Sequence, residues 1–373
     1  LLMRILFTRF PLESAYGGAE VQVLSLMEGL IQHGHEVRFL GSCPILLREC
    51  KRRKIPATQL TIGPPPVTKW GAVSFLWRKK RMKKLLEQAI DHLPKADVVI
   101  MLSLTEKLLL TEPLPDRQAG DNRTRTFWLE HDRVGRWLTW NPWLQRLRKL
   151  SNNATTIVVS ELSKKIYVKL GFPENKVIAI PNGINIPHPN PNPHPRPHPY
   201  NLHIGCISRL TKDKGVDLLI DAVKDIRGIN LTIVGSGRDE EDIKKLILNS
   251  QFSINIISRI DDIASFYNSL DLLVLPSREH DPFGLVVAEA MMLEVPVVVT
   301  DACGIADYLE DGKDAVVVKA DSSDELKEEI LKLIDNADLR NSVAKAGFKT
   351  AQKQFTVNKM VERYCDLIGS KNV

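Results

Sequence analysis

Short apolar runs, each closed by a turn and followed by an amphipathic stretch, recur along the whole chain. No other feature limits the fold as much. After residue 201 the runs read "LHIGCIS", "LTIVGSG", "SINII", "DLLVLPS", "VPVVVT" and "DAVVVK". Five of these six are separated by helical stretches or long turns. The earlier half repeats the pattern with "RILFTRF", "HEVRFLG", "ADVVIML" and "TTIVVS". Strands that alternate with helices in this way form parallel sheets covered on both faces. The first run leads through a Gly-Gly loop into "AEVQVLSLMEGLIQHG". There Val23, Leu26, Met27 and Leu30 share one helical face, and Gly34 supplies the stop. The expected class is α/β, with two doubly wound sheets whose ligands sit at the carboxyl ends of the strands.

Residues 187–199, "PHPNPNPHPRPHP", place proline at every second position. Such a segment enters neither a helix nor a central strand and reads as an extended linker. His188, His194 and His198 lie in it without acidic or cysteine companions, so a linker is a better reading than a metal site. The charge also changes sign there. Residues 1–183 hold 29 Lys+Arg against 16 Asp+Glu, and residues 184–373 hold 22 against 29. The first half should be drawn to something anionic: nucleic acid, a membrane surface or a phosphorylated acceptor. The expected division is a domain over 1–183, a linker over 184–200, a domain over 201–355 and a helix over 356–373, read from "NKMVERYCDLIGS" and placed back on the first domain.

At 373 residues, 43% apolar and 26% charged, the composition is that of a globular protein. The run "VVAEAMMLEVPVVV" is broken by Glu289, Glu294 and Pro296, so it does not read as a membrane span. "LLMRILFTRF" reads as a first strand rather than a signal peptide. Five cysteines without a CxxC pair suggest reduced thiols in cytosol, with neither zinc nor disulfide indicated.

Several strand ends carry candidate chemistry. In "DPFGLVVAEAMM", Asp281 precedes a helix start at Gly284, and Glu289 lies one to two turns inside the helix. The unpaired N–H groups of that start favour phosphate or sugar oxygens, and both carboxylates suit sugar hydroxyls. Equally, Asp281 reads as a cap and Glu289 as a solvated residue. In "ISRLTKDKG", Arg209 and Lys214 follow a strand and suit a diphosphate. Taken alone, the pair is better read as a surface loop. Gly235 and Gly237 in "VGSGRDEED" fit either a nucleotide or a turn. Gly17 and Gly18 in "YGGAE" fit an anion cradle or a tight turn. His131 and Asp132 close "FWLEHD", where a histidine is able to move a proton.

Taken together, "GGAE", "EHD", "VVSELSKK…VIAIPNGIN", "SRLTKDKGVDLLIDAV", "LTIVGSGRDEEDIKKL" and "DPFGLVVAEAMMLEVPVVVT" resemble the retaining glycosyltransferases of family 4, which have the GT-B fold. The motifs stand in the family's order over nearly the whole chain. The resemblance implies two Rossmann-like domains facing a central cleft and a UDP- or GDP-linked sugar as substrate, with no cofactor and no protein-bound metal. It implies that Arg209 and Lys214 hold the donor diphosphate, that Glu289 binds the ribose and that Asp281 meets the donor sugar. Backbone amides near Phe283, Gly284 and Leu285 would hold sugar and phosphate. His131 would line the reaction centre, and Gly17 and Gly18 would lie beside the phosphates and acceptor. Gly235, Gly237 and Arg259, the last in the stretch after "SINII", are placed in the donor-binding set. Two departures stand out. Asp281 replaces the usual glutamate, and Cys303 in "CGIADYLEDG" replaces a glycine, leaving Gly304 as the matched position. With no acid obvious as a nucleophile, the implied mechanism is front-face attack, with the leaving diphosphate taking the acceptor's proton. On this reading Lys214→Ala costs turnover and leaves the fold intact.

"VTKWGAVSFLWRKKRMKKLLEQAI" joins Trp70, Phe75 and Trp77 to Arg78, Lys79, Lys80 and Arg81, with Met82, Leu85, Leu86 and Ala89 as an inward stripe. "RVGRWLTWNPWLQRLRKL" adds Trp137, Trp140 and Trp143. Tryptophan beside cations suits an anionic lipid surface, the alternative being core tryptophans and solvated cations. The expected partners are a nucleotide sugar, a lipid-linked or glycan acceptor and an anionic membrane, without nucleic acid. The expected place is the cytoplasm, peripheral on the inner face of the cytoplasmic membrane. The rival readings are a nucleotide-sugar epimerase of the same fold and a decayed lipid- or nucleic-acid-binding module.

Overall fold

The computed structural model describes residues 2–11, 17–111, 124–131, 141–185, 202–248 and 253–370. The chain forms two compact units, Leu1–Gly183 with Val357–Val373, and Ile184–Thr356. The proline-rich segment, residues 187–199, lies outside the described residues.

The first unit holds a seven-stranded sheet in the order β3-β2-β1-β4-β5-β6-β7. The strands are β1 (Arg4–Arg9), β2 (Glu36–Gly41), β3 (Ala57–Gln59), β4 (Val98–Met101), β5 (Arg125–Glu130), β6 (Thr155–Val158) and β7 (Val177–Ala179). Every pairing is parallel. The two-residue period of a strand sends Ile5 and Phe7 into one core and Leu6 into another, so both faces are covered. Helix α1 (Gly18–Gln32) buries Val23, Leu26, Met27 and Leu30, and Gly34 at φ +85° follows its end; α2 (Pro44–Arg52) follows β2.

The helix Val357–Gly369 belongs to this unit. Met360, Val361, Tyr364, Leu367 and Ile368 enter its core. A Cβ on Gly29 would lie 2.3 Å from Val361 Cγ2, so α1 and this helix meet where α1 has no side chain. Arg125 then donates to the carbonyls of Ile368 (2.6 Å) and Leu367 (3.2 Å) at the far end.

The second unit holds a six-stranded, all-parallel sheet in the order β10-β9-β8-β11-β12-β13. Its strands are β8 (Leu202–Ile207), β9 (Ile229–Val234), β10 (Ile254–Ile257), β11 (Leu272–Leu275), β12 (Val297–Thr300) and β13 (Val316–Val318). In both sheets the winding reverses once, between β1 and β4 and between β8 and β11. Such switch points leave a crevice at the strand ends.

Candidate active site

The second unit gathers its polar side chains at the β8/β11 switch point. After β8 the chain makes a short turn, Lys212–Lys214, and Gly215 opens the helix Val216–Val223 at φ +66°. A Cβ on Gly215 would lie 2.0 Å from the Pro276 carbonyl oxygen, so glycine lets this turn press against the segment after β11. Arg278 fastens the two. Its guanidinium donates to Asp217 (2.8 and 3.1 Å), Asp321 (2.7 Å) and the Lys212 carbonyl (2.6 Å). The amides of Arg278 and Glu279 both donate to the Asp213 carbonyl, at 3.0 and 3.1 Å.

This bracing delivers Lys214 to Asp281. The ammonium donates to Asp281 Oδ2, and the two residues are only 8% and 9% exposed. The other donors to that carboxylate, Ser277 Oγ and the Phe283 amide, are both at 3.4 Å, which is long for a hydrogen bond. The Asp281 backbone is itself clamped: its amide donates to Ala302 (2.9 Å), and its carbonyl accepts from Gly304 (2.9 Å). Phe283 is likewise held, its carbonyl accepting from the Ile305 amide (2.7 Å) and from Cys303 Sγ (3.2 Å). Gly284, at φ +90°, begins the helix Leu285–Met292, and a Cβ there would lie 2.4 Å from Cys303 Sγ. Cys303 therefore fills the space beside Gly284, and burial pushes its thiol pKa well up. Leu285, the first residue of that helix, is half-buried, and the first amides of a helix lack intrahelical acceptors.

Glu289 lies on the same helix and does not face solvent alone. Tyr267, fully buried on the helix Ile263–Asn268, donates its hydroxyl to Glu289 Oε2 at 2.6 Å. Burial raises the Glu289 carboxyl pKa, and the Tyr267 bond pulls it the other way. A half-buried carboxylate and a partnering phenol make an acceptor suited to a ligand hydroxyl.

Gly235 and Gly237 serve a close approach within the protein. Cβ atoms there would lie 1.9 Å from the Ser208 carbonyl oxygen and 2.2 Å from that of Leu210. Their loop packs on the Ser208–Leu210 segment, and the Leu210 amide donates to the Ser236 carbonyl at 3.0 Å. Arg209 is thereby presented outward. It is exposed and forms no ion pair with a described residue. Arg259 falls outside this gathering. It follows β10 at the sheet edge, is 85% exposed and pairs with Asp261 at 3.5 Å. Strand order puts β9 between its strand and β8, so its assignment with the donor-binding residues is not supported by geometry.

In the first unit, Gly17 and Gly18 stand at the α1 start, and the Gly17 amide donates to Glu20 Oε2 at 3.2 Å. Glu20, buried, also pairs with the partly buried Arg9 at 2.7 Å. An internal carboxylate thus already answers the helix start that the sequence offers to an anion. His131 is half-buried directly after β5, next to Glu130, which pairs with the buried Lys107 at 2.7 Å. Asp132, Trp137 and Trp140 lie outside the described residues.

The aromatic basic face is divided by the fold. Trp143 is 8% exposed, stacks edge-on against Phe75 at 5.3 Å and donates Nε1–H to the Pro66 carbonyl at 3.2 Å. It is core, because its indole fills the space beneath helix α3 (Lys69–Asp91), and Phe75 is core with it. Trp77 is 84% exposed. Lys80 and Arg81 are exposed, Lys79 is half-buried, and Arg78 folds back onto the Pro64 carbonyl (3.2 Å) and Ser74 Oγ (3.0 Å).

Sequence reading missed Arg278, Tyr267, and the Arg9–Glu20 and Lys107–Glu130 pairs. Arg278 stood in view, three residues beyond the end of β11. Nothing in "IASFYNS" signals that Tyr267 points at an acid on another helix.

Two parallel, doubly wound units, one holding a lysine–acid pair and a glycine-opened helix at its switch point, define the GT-B architecture. The HepE protein of Anabaena, solved in complex with UDP and glucose, has this fold, with a TM-score of 0.77, 19% identity and coverage of 99% of this chain and 100% of that one. The family model "Glycosyl transferases group 1" matches residues 194–350, and "Glycosyltransferase Family 4" matches residues 16–187. The chain belongs to the family 4 glycosyltransferases. It is 32% identical over 191 residues to an uncharacterized glycosyltransferase of Methanocaldococcus jannaschii, covering 50% of this chain and 52% of that one. It is 31% identical over 218 residues to the capsular polysaccharide biosynthesis glycosyltransferase CapM of Staphylococcus aureus, covering 54% and 57%. The chain thus spans about half the length of these curated relatives.

Proposed function

We propose that this protein moves a sugar from a nucleoside-diphosphate sugar to a hydroxyl of a lipid-linked or glycan acceptor in cell-surface polysaccharide assembly, with retention at the anomeric carbon. The carrying observation is the β8/β11 switch point. There Lys214, paired and buried, stands with the exposed Arg209 and the start of the helix Leu285–Met292. Two cations and a row of amides suit a diphosphate, and Glu289 on its tyrosine suits a ribose diol. Asp281, held beside Lys214, then meets the donor sugar. UDP is the favoured carrier, since the structurally similar HepE binds UDP. The name of CapM supports a surface-polysaccharide product.

The acceptor oxygen forms its bond to the anomeric carbon as the bond from that carbon to the β-phosphate oxygen breaks. The leaving phosphate takes the acceptor's proton, and its charge falls on Arg209, Lys214 and the helix amides. The cations are side chains, so the scheme calls for no cofactor or metal. Among the described residues no helix is long and apolar enough to cross a membrane. We place the protein at the inner face of the cytoplasmic membrane as a peripheral enzyme.

Titration with UDP and GDP tests the site. Arg209→Ala removes an exposed side chain and leaves the core intact, so it should weaken UDP binding at least tenfold with unchanged thermal stability. Unaltered affinity would remove Arg209 from the site. NMR of the product made from a UDP-sugar and an oligosaccharide acceptor reads the anomeric configuration. An interconverted sugar nucleotide without transfer would make the protein an epimerase.

A further inference from the structure

We infer that the outward face of α3 is a shallow wedge for an anionic lipid bilayer. The inference rests on the reading above only in that a lipid-linked acceptor brings the enzyme to a membrane. Trp70 is 85% exposed, Trp77 84%, Leu76 62% and Val73 47%. Two tryptophans left almost fully in water are costly unless something covers them. On a helix advancing about 100° per residue, Trp70, Val73, Trp77, Lys80, Arg81 and Lys84 fall within about 100° of arc, with Leu76 at its flank. Phe75, Met82 and Leu86 hold the opposite side, all buried. The outward face therefore reads apolar over its first two turns and cationic over the next two.

The face is rigidly presented. Thr68 Oγ1 caps the helix by accepting from the Gly71 amide at 3.0 Å. A Cβ on Gly71 would come within 2.7 Å of the Pro65 carbonyl oxygen, so the helix start lies directly against the 64–66 segment. Trp143 holds the Pro66 carbonyl and Arg78 the Pro64 carbonyl. Packing of the inner side thus fixes which residues look out.

Charge selects the occupant. A second copy seated on this face would bring Lys80, Arg81 and Lys84 against their own kind. Lipid phosphates match those cations, while the indoles and Leu76 suit the boundary between headgroups and acyl chains. Each cation near such a surface raises affinity about fivefold, and the apolar half makes part of the binding resistant to salt.

The test is sedimentation of the full chain with vesicles of equal parts phosphatidylglycerol and phosphatidylcholine, against vesicles of phosphatidylcholine alone. The wild type should bind the anionic vesicles with a blue shift in tryptophan fluorescence. The double variant Trp70→Ser, Trp77→Ser should lose at least tenfold in affinity. The triple variant Lys80→Gln, Arg81→Gln, Lys84→Gln should lose its preference for anionic lipid. All should unfold at the wild-type temperature and bind UDP as the wild type does. Failure of the wild type to bind either vesicle overturns the inference, as does equal binding by both variants. So does a face that instead holds a second copy or duplex DNA, read as a dimer or a DNA complex lost with the tryptophans. UDP binding is scored separately, so a failed donor site leaves the vesicle result intact.

Discussion

Breaking the Lys214–Asp281 pair should unfold the second unit more easily as well as stop turnover. Among the described residues, Lys214→Met leaves the Asp281 carboxylate buried with two donors, both at 3.4 Å. Removing one partner of a buried ion pair costs about 3–5 kcal/mol. In a unit the size of Ile184–Thr356 each kcal/mol moves the melting temperature by about 2–4 °C, so a fall of about 6–20 °C follows. Asp281→Asn should do similar harm by stranding the ammonium. The double variant removes both charges and should recover much of that loss, giving a coupling energy of a few kcal/mol in a double-mutant cycle. Turnover should stay orders of magnitude low in all three. Urea unfolding measures the stabilities, and transfer from a UDP-sugar measures the activity. Single variants within about 0.5 kcal/mol of wild type, or losses that simply add, would refute the reasoning. The expectation that Lys214→Ala leaves the fold intact is revised on the same ground.

Other perturbations separate the remaining claims. Tyr267→Phe removes the 2.6 Å bond to Glu289 and should weaken UDP binding about tenfold, by about 1.5 kcal/mol. It should also move the acid limb of the binding profile to higher pH, because that bond favours the carboxylate; an unmoved limb would make Tyr267 merely a packing residue. Burial pushes the Glu106 carboxyl up to about 7, against an ordinary 4.5, although the Ser103 and Leu102 amides donate to it. The folded state then holds this proton longer than the unfolded chain does. Stability should fall by about 3 kcal/mol as pH rises from about 4.5 to about 7, and Glu106→Gln should flatten that part of the curve in urea titrations. Gly215→Ala forces a side chain onto φ +66° and against the Pro276 carbonyl, so it should cost at least about 2 kcal/mol and also lower turnover by shifting Lys214. Full activity in that variant would show that the turn moves freely.

Periodicity made most strands legible: all ten apolar runs read from the sequence are strands, four in the first unit and six in the second. The strands that escaped reading are short or carry little pattern. β3 is three exposed residues at a sheet edge, β7 is three residues inside "VIAIPNGIN", and β5 is a run read only for the histidine at its end. Spacing along the chain showed that Lys214 and Asp281 each follow a strand. It did not show that they touch, because contact depends on β8 and β11 being neighbours across the reversal of winding.

The sequence by itself determined the class. Alternating strands and helices of these lengths have few ways to cover their apolar faces, and two sets of them make two doubly wound sheets. Tertiary structure alone decided which polar groups meet and which aromatic groups hide. Trp77 and Trp143 sit in similar basic surroundings in sequence, yet one is in water and the other under α3. Glu289 likewise found its phenol on a helix 22 residues away. Local pattern fixes the period and face of an element. The partner across that face is set by strand order and by glycines that let backbones close, and neither is written in the neighbouring residues.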